Sequence, residues 1–189
     1  MLAGKIMNQI LDTIKNRRSI RKYLPEQIKD EKLEKILEAG IYAPTGHNDQ
    51  PWHFTIIQNK ELIDEMNVKC KKAMADLPID WIAKMGKSEN LHIFYNAPTV
   101  VVVSGKEDAT SPFAYCCAAI QNMLLAAESI DIGSCWIGLA RFFYENPENL
   151  KKLNIPKGYK PNYSVSFGYK DSSSHKAPTR NRNVVNYIK

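Results

Sequence analysis

Glycine is scarce in this chain, nine residues in 189, and no two stand in a G-x-G pattern, so the fingerprint of a Rossmann dinucleotide fold is absent. Gly86-Lys87-Ser88 has the ending of a phosphate-binding P-loop, but the glycine required five positions earlier is Trp81, and the match fails. Neither H-E-x-x-H nor G-x-S-x-G occurs. His47, His53, His92 and His175 stand at no metal-ligand spacing from cysteine or acidic partners, so neither a metal site nor a hydrolytic triad is expected. The four cysteines, Cys70, Cys116, Cys117 and Cys135, form no C-x-x-C pair. A chain of this length needs no disulfide staples, and buried free thiols are expected. Long apolar runs are missing too. Met1 to Ile14 is broken by Lys5, Asn8 and Asp12, which excludes a signal-peptide core or membrane span there and leaves a cytoplasmic location by elimination.

What is present is an ordinary globular composition. With 44% hydrophobic and 24% charged residues, the chain can bury a core, and it contains no biased tract of the kind that stays disordered. No repeat or linker divides residues 1–189, so one domain is expected. The net charge of +6 suits an anionic ligand, and equally a basic soluble protein. Nucleic-acid binding would need the basic residues gathered on one face.

Met7, Ile10, Leu11 and Ile14 recur at helical spacing and predict an opening amphipathic helix. A second helix is predicted with Leu33, Ile36, Leu37 and Ile41 on one face and Asp30 near its start, where a carboxylate meets free backbone N–H groups. The turn-rich segment from Ala43 to Pro51 follows, then strand-like alternation at Trp52, Phe54 and Ile56. Residues 60–96 read as helix, irregular excursion and helix, interrupted by Pro78 and Gly86. Val100 to Val103 is the best candidate for a central strand. Ala114 to Ile130 is apolar nearly all round, as in a buried helix, with Gly133 as its stop. Ser134 to Gly138 reads as a short strand, and Asn146-Pro147 as a cap and first-turn proline of a short helix. Tyr163, Val165, Phe167 and Tyr169 alternate with Ser164, Ser166 and Gly168, the pattern of a half-buried strand. Strands are few, separated by helices and unevenly spaced, a mixed composition without a βαβ rhythm.

Five basic side chains, Lys15, Arg17, Arg18, Arg21 and Lys22, surround Ser19. Arginine offers a planar fork of donors that matches a phosphate, and the serine hydroxyl adds another. The same cluster could also be a solvated basic turn or a nucleic-acid arm. A second basic group, Arg180 and Arg182 with Lys176 nearby, lies at the far end of the sequence.

Four stretches, in order, resemble the nitroreductase family of FMN enzymes. Arg17-Arg18-Ser19-Ile20-Arg21-Lys22-Tyr23 resembles its opening motif, and the segment from Ala43 to Phe54 resembles its A-P-S-x-x-N-x-Q-P-W-x-F loop. Gln121 to Ala127 with Ile132 to Gly138 resembles the buried helix and glycine turn beside the flavin. Phe167-Gly168-Tyr169, Arg180-Asn181-Arg182 and Val184-Val185 resemble the last strand and basic tail.

The resemblance implies an α+β fold: a central, mostly antiparallel sheet flanked by helices, in a homodimer that exchanges its C-terminal segment and binds FMN at the interface. It implies that Arg17, Ser19 and Arg21, with Arg18 adjoining, hold the flavin phosphate, ribityl chain and pyrimidine edge. Pro44, Thr45, Gly46 and Asn48 would reach the flavin from the partner. Trp136, Ile137 and Gly138 would line the ring, and Arg180 and Arg182 would complete the phosphate clamp. Gly46 replaces a small hydroxyl residue, so any contact there is through backbone. The family's further amide on the pyrimidine edge falls ambiguously between Asn67 and Asn90, and residues 60–96, where relatives build a substrate lid, are short. The implied reaction is ping-pong transfer from NAD(P)H to an electron-poor acceptor such as a nitroaromatic or quinone, with no essential protein acid or base. The rival readings are a specialised flavin-handling or oxygen-dependent flavin role without nicotinamide, and the nucleic-acid arm.

Overall fold

The computed structural model describes residues 8–171 and 177–189. Met7, His175 and Lys176, which figure in the sequence reading, lie outside them. Four strands, β1 (Trp52–Ile57), β2 (Thr99–Lys106), β3 (Ile132–Ile137) and β4 (Tyr159–Tyr169), form one sheet in the order β1-β2-β4-β3. Every pairing between them is antiparallel. The helices are α1 (Gln9–Asn16), α2 (Asp30–Ile41), α3 (Lys60–Ala75), α4 (Asp80–Lys87), α5 (Pro112–Ser129) and two single-turn pieces, α6 (Arg141–Tyr144) and α7 (Pro147–Leu150). The α+β expectation and the antiparallel sheet agree with this architecture.

The sheet separates two cores. On one face α2 and α5 pack Leu33, Ile36, Ile120 and Met123 against Val101, Val103, Val165 and Phe167. On the other, α3, α4 and α6 bring Met66, Cys70, Ile82 and Phe143 against Val100 and Val102. Residues 99–103 of β2 are wholly buried, which accounts for their unbroken β-branched run: a strand covered on both faces needs no exposed side to alternate with. Helix α5 carries Cys116, Ala119, Ile120, Met123 and Ala127 at zero exposure and starts with Pro112 in its first turn.

Several expectations are corrected. Strand β4 is not half-buried. Ser164 and Ser166 are as buried as Val165 and Phe167, because a second layer covers their face: Ser166 Oγ donates to the Phe94 carbonyl at 3.2 Å, and Ser164 hydrogen-bonds the Tyr144 hydroxyl. Gly86 does not interrupt a helix but lies inside α4, where an added Cβ would come within 2.5 Å of the Ala75 backbone nitrogen of α3. Gly133 does not stop α5. Asp131 makes the turn, at φ 59°, and Gly133 belongs to β3, which begins at Ile132 and ends before Gly138. Ile41 is half exposed rather than part of the buried face of α2. The Asn146 cap holds as read, its side chain accepting from the Glu148 N–H at 2.9 Å.

Candidate functional site

The opening basic motif lies along the β3 edge of the sheet. Ser19 bridges Ser134 in parallel, and Ile20 N–H donates to the Ser134 carbonyl at 2.9 Å. Tyr23 bridges Lys170, and Leu24 N–H donates to the Tyr169 carbonyl at 3.0 Å, so the segment crosses from the end of α1 onto the β3–β4 ladder. Two glycines make the approach possible. Gly133 and Gly168 face each other across that ladder. A Cβ on Gly133 would lie 3.0 Å from the Ile20 side chain, and one on Gly168 would lie 2.9 Å from Tyr23 and 2.8 Å from Pro98. Ile20 is buried and the Tyr23 hydroxyl donates to the Ile20 carbonyl at 2.8 Å, which pins the strip from beneath. Burial pushes the Tyr23 hydroxyl well above the usual phenol range, so it stays a neutral donor.

With Ile20 and Tyr23 facing inward, the arginines and Ser19 border β3. Burial raises the Cys135 thiol, against the opposing pull of the Arg21 and Arg17 guanidiniums and a hydrogen bond with Ser19. The bridge from Ser19 to Ser134 sets the strip that holds Arg17, Ser19 and Arg21 beside β3, next to Cys135 and Trp136. Arg21 Nε donates to the Tyr95 hydroxyl at 3.3 Å. Its burial alone would lower its pKa, but the Tyr95 hydrogen bond and the nearby ionisable side chains of Cys135, Tyr95 and Tyr23 turn the balance upward. Arg18 behaves differently from its neighbours. Its Nη1 donates to the Lys15 and Arg17 carbonyls at 2.6 and 2.8 Å, capping the end of α1, while its buried Nε has no hydrogen-bond partner among the described residues. A buried cationic donor left open in the same short segment as Arg17, Arg21 and the Ser19 hydroxyl is chemistry that suits a phosphate.

Trp136 is half-buried and stands edge-on to Tyr163, ring centroids 5.1 Å apart. The Ile137 side chain belongs to the α3-side core, so only its backbone can line a ring, and Gly138 follows exposed. The second predicted group sits at the opposite edge of the sheet. Pro44, Thr45, Gly46 and Asn48 form the connection from α2 into β1, where Asn48 Oδ1 accepts from Gln50 Nε2 at 3.0 Å and Thr45 Oγ1 from Gln50 N–H at 3.4 Å. Asn48 and Gln50 thus order this turn. Gly46 fits there because an added Cβ would meet the Tyr115 hydroxyl at 2.5 Å. Strands β1 and β3 are three spacings apart, about 14 Å at the usual interstrand distance. Arg180 and Arg182 lie on the exposed segment 177–189; Arg180 donates to the Pro178 carbonyl. One chain brings together Arg17, Ser19, Arg21 and the Cys135–Gly138 strip, and leaves the other two groups apart.

Sequence reasoning missed Tyr95, which nothing around it in the sequence marks. Of the two candidate amides, Asn67 spends its Oδ1 on the Ile93 N–H at 2.9 Å, and Asn90 is exposed. All four cysteines are free; Cys70, Cys116 and Cys135 are buried and Cys117 is half-buried. No group of metal-ligating side chains and no helix long and apolar enough to cross a membrane occurs among the described residues.

A family model described as the nitroreductase family matches residues 14–169. A nitroreductase from Bacteroides fragilis, solved with bound FMN, is 36% identical and superposes with a TM-score of 0.88 over 97% of this chain and 100% of its own. A protein of Archaeoglobus fulgidus, provisionally named NADH dehydrogenase/NAD(P)H nitroreductase, is 34% identical over 86% of each chain. The FMN reductase [NAD(P)H] of Bacillus subtilis is 28% identical over 96% of this chain and 74% of its own. The match spans the sheet, the basic strip and the glycine ladder that seats it, and the chain belongs to the nitroreductase family.

Proposed function

We propose that this chain is an FMN-dependent oxidoreductase that carries electrons from NAD(P)H to an electron-poor acceptor such as a nitroaromatic or quinone. It works as a homodimer with the flavin between subunits. The observation that carries this is the set of phosphate-grade donors, Arg17, Ser19 and Arg21, gathered on the β3 edge beside the Cys135–Gly138 strip. Bound FMN supplies hydride acceptance from nicotinamide and delivery to the acceptor in alternating half-reactions.

The chain's own work is holding and tuning. Arg17 and Ser19 bind phosphate and ribityl oxygens, and the Trp136–Gly138 backbone lines the ring. Arg21 sets a cation at the pyrimidine edge, where it favours the negatively charged reduced form. Arg18 braces the end of α1 beside them. Pro44, Thr45, Gly46 and Asn48, at the far sheet edge, and Arg180 and Arg182, on the exposed tail, join the site from a second copy.

Unburied apolar surface supports that assembly. Ile10 of α1 is 71% exposed and Ile188 of the tail 94%, with Leu11, Ile14, Tyr42, Val184 and Tyr187 also exposed. We assign it to the cytoplasm on the same reading, since that compartment supplies reduced nicotinamide. The test is addition of NADH or NADPH to the flavin-loaded protein without air. The visible flavin absorbance bleaches with at least one of them and returns on adding a nitroaromatic. A flavin that stays oxidised with both rejects the nicotinamide half of the reading in favour of a specialised flavin role.

A further inference from the structure

The turn from His92 to Pro98 has an unusual backbone and an unusual amount of support. Tyr95 and Asn96 take φ values of 56° and 53°, the left-handed region that a bulky residue such as tyrosine adopts only when its surroundings demand it. Helix α3 supplies the demand. Asn67 accepts from the Ile93 N–H at 2.9 Å, and Asp64 Oδ1 stands 3.3 Å from His92 Nε2. His92 Nδ1 accepts from the Phe94 and Asn96 N–H groups at 3.2 and 3.4 Å, and the Tyr95 N–H closes onto the His92 carbonyl at 2.8 Å. Buried Phe94 anchors the turn in the α3-side core. The outcome is a fixed position for one side chain: the Tyr95 hydroxyl accepts from Arg21 Nε at 3.3 Å, and its ring centroid lies 5.8 Å from the guanidinium carbon.

We propose that Tyr95 is a positioning residue for Arg21, its hydroxyl and ring holding the guanidinium in its flavin-binding orientation before the cofactor arrives. This rests on the FMN reading above. An arginine side chain free in solvent loses several rotatable bonds on binding, and one already held by a hydrogen bond and an aromatic face loses fewer. Tyr95 thereby strengthens flavin binding without touching the flavin, and more so for the reduced form, whose charge Arg21 meets.

The test compares FMN affinity and flavin midpoint potential in the wild type, Tyr95→Phe and Tyr95→Asn, and repeats Tyr95→Phe in an Arg21→Gln background. Tyr95→Phe binds FMN about threefold to tenfold more weakly, the range of a partly exposed hydrogen bond to a charged group, with a more negative potential. Tyr95→Asn suits the left-handed backbone but gives up the ring's packing against the α3-side core, so it is titrated well below its own melting temperature, and there it binds FMN more weakly still. Tyr95→Phe adds no further loss once Arg21 is gone. Unchanged affinity and potential in both Tyr95 variants, or an equal loss in the Arg21→Gln background, overturns the proposal. A wild-type chain that takes up no FMN overturns the functional reading itself, and this inference with it.

Discussion

The thiols of Cys70 and Cys116 lie in the two separate cores, and burial pushes them from 9.0 up to about 12 and about 11. Both remain protonated in the folded chain well past the pH at which the unfolded chain ionises. Their contribution is complete below about pH 9 and is lost as pH rises from there toward the folded values, because deprotonation then favours the unfolded state. Denaturant midpoints should therefore fall between about pH 9 and 11 (~1.4 kcal/mol per pH unit per thiol in the steep region). Cys70→Ala should be less stable at pH 8 by about 1 kcal/mol, through lost packing, yet show a shallower alkaline slope. A slope equal to that of the wild type contradicts this assignment. At this scale part was legible in the sequence: free cysteines, and a strip of possible donors at Arg17, Ser19 and Arg21 whose flavin role is our proposal. Tyr95 was not, because its place beside Arg21 comes from a turn held by α3, 74 residues along the chain from Arg21.

Among the elements, an apolar surface nearly all round located α5, and apolar period located α1, α2 and β1, although in β1 Ile57 is buried and Ile56 exposed. It failed where a neighbour decides the environment. The serines of β4 alternate as though facing water but meet a packed layer, and Gly86 looks like a breaker but lets α4 sit against the backbone of α3. Gly168 belongs to the same class. Its missing side chain makes room for Tyr23 and Pro98, and through Tyr23 for the arginine strip. Both neighbours are rigid rings with little freedom to move. Gly168→Ala should cost about 1–3 kcal/mol of stability and shift the strip off the ladder. We expect FMN affinity in that variant to fall by more than the stability loss explains, read by flavin titration well below its melting temperature. A destabilised variant with wild-type FMN affinity would detach the ladder from the site.

For the whole molecule, the missing G-x-G removed the Rossmann dinucleotide fingerprint and the unevenly spaced strands predicted a mixed fold, but the strand order β1-β2-β4-β3 depends on long-range pairing that local periodicity does not encode. The same order explains why the motifs seen in sequence do not meet within one chain. The loop from Pro44 to Asn48 enters at the β1 edge, the Arg17–Arg21 strip lies at the β3 edge, and Arg180 and Arg182 extend on an exposed tail. A second copy would supply what each edge lacks and would cover Ile10, Leu11 and Ile14 of α1. The most direct measurement is titration of FMN into flavin-free protein while its mass is followed by light scattering. The account predicts a two-chain particle that binds one FMN per chain, and parallel loss of dimer and flavin in an Ile10→Asp, Ile14→Asp variant. A monomer that binds FMN at full strength, or a dimer that refuses it, would contradict it.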